Sequence, residues 1–119
     1  MILNLYTEDF FDSSHNLINY DGKCANSHGH SFKICVWIKG DESELDKSGI
    51  LWDFSNIKIT TNEFDHKNLN EIVDFNPTVE NLTLYTYKKL KKINSNLLFK
   101  VRIYEQVVSK NAYCETGDF

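Results

Sequence analysis

The sequence is short of several things, and each shortage excludes something. It has three cysteines, an odd number in a chain with few turns to staple, which suits a reducing compartment better than a disulfide framework. Cys35 and Cys114 are accordingly read as packing residues. No apolar run approaches the length of a membrane span. The opening Met1-Ile-Leu-Asn-Leu-Tyr lacks the basic stretch and small-residue cleavage site of a secretory leader. A formal net charge of -4 leaves no basic surplus for a nucleic-acid groove. The one marked basic cluster, Lys88-Lys89-Leu90-Lys91-Lys92, reads as the exposed C-terminal end of a helix. The expectation is a cytoplasmic protein with neither nucleic acid nor membrane as partner. With 119 residues, 41% of them hydrophobic, residues 1–119 suffice for a single domain and one core.

Against these absences stands a concentration of histidine. Three of the four histidines fall within sixteen residues: His15, then His28 and His30 in Cys24-Ala-Asn-Ser-His28-Gly-His30. Side chains two apart on a strand point to one face, so His28 and His30 can reach a single ion while Gly29 faces away. His15, at the end of a neighbouring strand-like run, completes a three-imidazole set. Three histidines leave a tetrahedral zinc ion one open position, the arrangement of sites that bind water or substrate. Taken singly, each histidine has an ordinary packing reading.

The periods along the chain change in order. Ile2 to Ser14 and His28 to Lys39 read as strands joined by the loop Asn16 to Ser27. In the second, His28, His30, Phe32, Ile34, Val36 and Ile38 share one face, so the ligands continue a buried apolar row. After a polar turn over Gly40 to Ser48, Asp53 is a candidate N-cap for a helix from Phe54 to about Glu63, weakened by Ile57, Ile59 and two threonines. The single proline, Pro77, opens a second helix in which Val79, Leu82, Tyr85, Leu90 and Ile93 recur at helical spacing. A last strand, Leu98 to Val108, puts Phe99, Val101, Ile103, Glu105 and Val107 on one side. Glu105 is the anomaly there: burying an unpaired carboxylate costs roughly several kcal/mol, so it either lies near an exposed strand end or is held for binding.

Six separated motifs carry a family resemblance over nearly the whole chain. They are Phe11-Asp-Ser-Ser-His15, the segment Cys24 to His30, Gly49-Ile-Leu-Trp-Asp53-Phe54, Phe64-Asp65-His66-Lys-Asn-Leu69-Asn70, Pro77-Thr78-Val-Glu80-Asn81-Leu and Val101-Arg-Ile-Tyr-Glu105. In this order and spacing they resemble the 6-pyruvoyl-tetrahydropterin synthase and 6-carboxytetrahydropterin synthase family. The resemblance implies an α+β tunnelling fold: an antiparallel four-stranded sheet with two helices on one face, in ββααββ order. It also implies a homohexamer, a dimer of trimers with sites between subunits. The implied substrate is 7,8-dihydroneopterin triphosphate, with Zn2+ held by His15, His28 and His30.

The same resemblance gives Cys24 as the base, Asp65 and His66 as a proton relay, and Glu105 as the anchor of the pterin ring. Thr78 and Glu80 match the family's pterin-pocket and helix-start positions. Asp65-His66 also has a plain reading as a helix-terminal cap, and Thr78 and Glu80 as first-turn residues. Two departures stand out: Glu105-Gln106 replaces the usual Glu-Thr, and Phe64 replaces the usual leucine before Asp-His. The short chain and the three residues between Cys24 and His28 resemble the bacterial 6-carboxytetrahydropterin synthases of queuosine biosynthesis. The 6-pyruvoyl synthase is the alternative, as is a zinc- or pterin-binding homologue without catalysis.

Overall fold

Two fourteen-residue strands organise the molecule. In the computed structural model, which describes residues 1–105 and 112–119 and omits the Cys24 side chain, β1 (Ile2–His15) and β2 (His28–Asp41) pair antiparallel over their full length. Ile2 faces Asp41 at one end and His15 faces His28 at the other. β2 is also the antiparallel partner of a later strand (Leu98–Tyr104), with Lys39 opposite Leu98 and Lys33 opposite Tyr104.

Between these strands the chain is helical. Asp53 caps as expected, accepting from the Ser55 amide at 3.0 Å. The first turn, Phe54–Ile57, is a tight 3-10 turn, and only Lys58–Phe64 is α-helix, α1. The β-branched run Ile57, Ile59, Thr60 and Thr61 accounts for this weak start. α1 ends at Asp65, and His66 takes a left-handed conformation, φ 55°, which turns the chain into β3 (Lys67–Asn68). A single turn, α2 (Leu69–Ile72), and the fifteen-residue α3 (Val79–Ile93) follow. Thr78 is the N-cap of α3, its Oγ1 accepting from the Asn81 amide at 3.1 Å, so Pro77 stands just outside the helix.

The expected four-stranded antiparallel sheet needs correcting. The sheet is five-stranded and mixed, in the order β3-β1-β2-β4-β5, where β4 is the strand Leu98–Tyr104 and β5 is Tyr113–Gly117. Four strands run antiparallel, and β3 adds two residues parallel to Ser13 and Ser14 of β1. The cause is the turn at His66, whose amide donates to the Asp12 carbonyl at 2.7 Å and lays the next residues along the β1 edge. Of the expected last strand, β4 realises Leu98 to Tyr104 and Glu105 lies in a bend; Gln106, Val107 and Val108 lie outside the described residues.

The predicted apolar face of β2 is the core face. Phe32, Ile34, Val36 and Ile38 are fully buried against Phe99, Val101 and Ile103 of β4 and Leu82 and Leu90 of α3. Each such side chain contributes about 1.5–3 kcal/mol. Phe11 stacks on Phe32 with ring centroids 4.8 Å apart. Phe64, the departure from leucine, fills the space between Phe11 and Tyr85 at 5.4 and 5.7 Å. Among the described residues no helix is long and apolar enough to cross a membrane.

Candidate metal centre and active site

The register of the sheet assembles the site. His15 and His28 are direct cross-strand neighbours at the end of the β1–β2 pair, and His30 sits two residues along on the same face. Their ring centroids are 4.6 to 5.1 Å apart. Carrying the β2–β4 register one step past Lys33 and Tyr104 brings Glu105 level with Phe32, beside His30 on the core face. The carboxylate that looked anomalous in sequence thus meets the imidazoles. Its Oε1 lies 3.4 Å from His15 Nε2 and 3.6 Å from His30 Nε2. One ligand atom from each of the four residues falls within 4.8 Å of the others.

Hydrogen bonding fixes what these atoms offer. His15 is completely buried, and its Nδ1 lies 2.7 Å from the Pro77 carbonyl, which can only accept; Nδ1 therefore carries a proton, and the tautomer with a lone pair on Nε2 is the one this contact selects. His28 Nδ1 is bound in the same way to the Asn26 carbonyl at 2.7 Å. The Nε2 atoms of His15, His28 and His30 are buried with no hydrogen-bond partner among the described residues. The Glu105 approach to them does not meet hydrogen-bond geometry, so the interaction is electrostatic. Buried lone pairs turned on a carboxylate oxygen are mutually repulsive unless a cation lies among them. The donor set, imidazole nitrogen and carboxylate oxygen, suits zinc and other first-row divalent ions.

Charge follows the same logic. Burial lowers the pKa of His30, offset in part by Glu105, so its ring is neutral and free to ligate near pH 7.

The chain around the histidines is pinned by amide side chains. Asn70 accepts from the Asn16 amide at 2.8 Å and donates to the Asn16 carbonyl at 2.9 Å; Asn76 does the same for Ile18 at 2.9 and 3.0 Å. These pairs imitate a strand ladder and hold the segment after His15 beside the one leading to Pro77. Sequence reasoning gave Asn70 no role beyond its motif and missed Asn76, Asn26 and the Pro77 carbonyl. A backbone acceptor leaves no side-chain signature to read.

Asp65 and His66 lie outside this cluster. The Asp65 Oδ1 accepts from the Asp12 amide at 2.9 Å, and its Oδ2 is 3.5 Å from His66 Nε2, too long for a formed hydrogen bond. Asp65 does cap α1, so the plain reading of the pair is realised in its backbone. The His66 ring is exposed and lines, with His30, Asp12, Ser31, Lys67 and Asn68, an open cleft of about 570 Å3. Thr78 caps α3 next to the Pro77 carbonyl, and Glu80 is exposed in the first helical turn. Cys24 belongs to a 3-10 turn, Lys23–Ala25, shortly before His28; its side chain lies outside the described residues.

A profile of the 6-pyruvoyl tetrahydropterin synthase family matches residues 4–116. The chain belongs to that family. Among relatives, the 6-carboxy-5,6,7,8-tetrahydropterin synthase of Synechocystis is 30% identical, with 92% of this chain and 91% of the relative covered. The 6-pyruvoyl tetrahydrobiopterin synthase of Dictyostelium discoideum is 31% identical over 85% of this chain and 87% of its own. The solved structure of Caenorhabditis elegans 6-pyruvoyl tetrahydropterin synthase superposes with a TM-score of 0.75 at 28% identity, covering 98% of this chain and 95% of that one. This tetrahydropterin synthase family supplies the context for a His/Glu cluster able to hold a metal ion.

Proposed function

We propose that this protein converts 7,8-dihydroneopterin triphosphate to 6-carboxy-5,6,7,8-tetrahydropterin, releasing acetaldehyde and triphosphate, as a zinc-dependent lyase of queuosine biosynthesis. The observation that carries the reading is the convergence of three partnerless imidazole Nε2 atoms with Glu105. His15, His28 and His30 would hold the metal. Zinc bound there would lower the pKa of the substrate's side-chain hydroxyls and stabilise negative charge as a proton leaves the adjoining carbon.

The remaining chemistry falls to the chain's own side chains. Cys24, as thiolate, takes the proton from the side-chain carbon next to the ring. His66 passes protons to and from the substrate, with Asp65 orienting the imidazole; the present 3.5 Å gap would have to close for that. Glu105 accepts from the adjacent ring N–H and amino donors of the pterin, fixing its orientation. Thr78 lends its hydroxyl and Glu80 its charge at the rim of the ring pocket. A homohexamer is part of the proposal: over Ile2 to Phe11 the side of β1 away from β2 has no strand partner among the described residues, and a second subunit would cover it.

The Dictyostelium relative supports a second reading, 6-pyruvoyl-tetrahydropterin synthase, in which triphosphate is eliminated and the side chain is kept whole. Incubating the purified protein with the triphosphate separates the two. Acetaldehyde and the 6-carboxy product are expected; triphosphate with a 6-pyruvoyl product and no acetaldehyde would establish the second. Metal analysis of the active protein is expected to find zinc.

A further inference from the structure

We infer that Glu105 has two alternative partners: it closes the metal site as a fourth ligand when no pterin is bound, and leaves the metal when a pterin ring arrives. The inference rests on the pterin reading above, because the ring is what draws the carboxylate away.

The first partner is written in the distances. Metal–ligand bonds of about 2.1 Å at the tetrahedral angle put ligand atoms about 3.4 Å apart. Glu105 Oε1 lies 3.4 and 3.6 Å from two imidazole Nε2 atoms, and the whole set lies within 4.8 Å. The carbonyls at Nδ1 of His15 and His28 leave Nε2 of each neutral ring as an acceptor, and a carboxylate facing such lone pairs is at its most stable with a cation between them.

The second partner cannot be served at the same time. A zinc site closed by four protein ligands has no position for a substrate hydroxyl, and a carboxylate bound to a cation is a poorer acceptor for the paired ring donors. The four ligands are also unequally fastened. His15 and His28 are locked by backbone carbonyls at 2.7 Å, whereas no hydrogen bond to backbone holds the Glu105 side chain among the described residues. It stands just past the end of β4 and retains 29% of its side-chain exposure, so rotation about its own side-chain bonds releases the metal without moving the sheet. The consequence is selective: hydroxylated molecules without the ring donors meet a closed site, and ring recognition opens it.

The test uses the full-length protein loaded with cobalt(II) or zinc(II), and 6-methyl-7,8-dihydropterin, which carries the ring donors and no side-chain hydroxyl. Without pterin, Glu105→Gln is expected to bind metal at least about tenfold more weakly than wild type and to change the visible cobalt spectrum. Adding the pterin to the wild-type protein is expected to weaken zinc binding and move the cobalt spectrum toward that of the variant. In Glu105→Gln it should do neither. Unchanged pterin-free affinity and spectrum in the variant would overturn the ligand role. A Glu105-dependent spectrum that stays fixed while pterin binds would overturn the exchange. Should the wild type bind no pterin at all, the functional reading and the exchange both fall, while the pterin-free comparison still decides whether Glu105 is a ligand. If Glu105→Gln does not fold, Glu105→Asp and the wild-type titration give the same decision.

Discussion

β4 is flanked by two carboxylates with opposite surroundings. Beside its first residues, just past the end of β5, Asp118 is met by donors alone: the Tyr87 hydroxyl, the Lys91 ammonium at 3.0 Å and the Phe99 amide at 2.9 Å. Beyond the other end, Glu105 is met by imidazole nitrogens of His15 and His30 at 3.4 and 3.6 Å, with no hydrogen bond formed to either among the described residues. The first network is complete within the chain and ties the C-terminal segment to α3 and the sheet. The second leaves three imidazole Nε2 atoms without a hydrogen-bond partner among the described residues, beside a carboxylate. The contrast teaches that a carboxylate's role is read from the donors around it, since residue type and strand position are much alike in the two places.

The largest way to break this comparison is to remove a histidine of the cluster. His28→Ala is expected to abolish stoichiometric metal binding and turnover while leaving the apo-protein's melting temperature nearly unchanged, because His28 is only partly buried at the sheet's end. Metal analysis and a thermal melt check it; retained metal would show that the imidazoles do not form the site. Next in size is Cys24→Ala. Removal of a proton-transferring group lowers turnover by roughly 10²–10⁴-fold, and here metal content should be unaffected. Full activity in that variant would take the thiol out of the proposed chemistry.

Much of the incomplete end was legible in the sequence. Alternation from His28 to Ile38 placed two of the histidines on a core face, and Glu105 stood out as a charge in line with Phe99, Val101 and Ile103; both features survive in the fold. What sequence could not supply was the meeting of Glu105 with the histidines, which depends on a β2–β4 register set by side chains some seventy positions apart. β3, two residues long, and β5, reading Tyr-Cys-Glu-Thr-Gly, have too little alternation to mark them as strands. The complete end went unread for a different reason. Asp118, Tyr87 and Lys91 are ordinary surface types whose pairing appears only once α3 packs beside β4 and β5.

That complete end gives the smallest predicted effect and sharpens the comparison from the other side. Asp118→Asn keeps the size of the side chain and removes its charge, so the clasp should lose about 1–2 kcal/mol, with metal binding untouched. The effect has a pH signature. Desolvation pushes the Asp118 carboxyl upward, but the Tyr87 hydroxyl, the Phe99 amide and Lys91 together outweigh it, leaving the folded-state value below the ordinary carboxylate range. A group depressed by folding contributes its full stability above its unfolded pKa and loses that contribution as pH falls through the folded one. Denaturant midpoints of wild type and Asp118→Asn should therefore differ most at neutral pH and converge in acid. Midpoints separated by a constant amount at every pH would mean that Asp118 acts through packing, and the contrast with Glu105 would no longer be one of charge satisfied against charge unsatisfied.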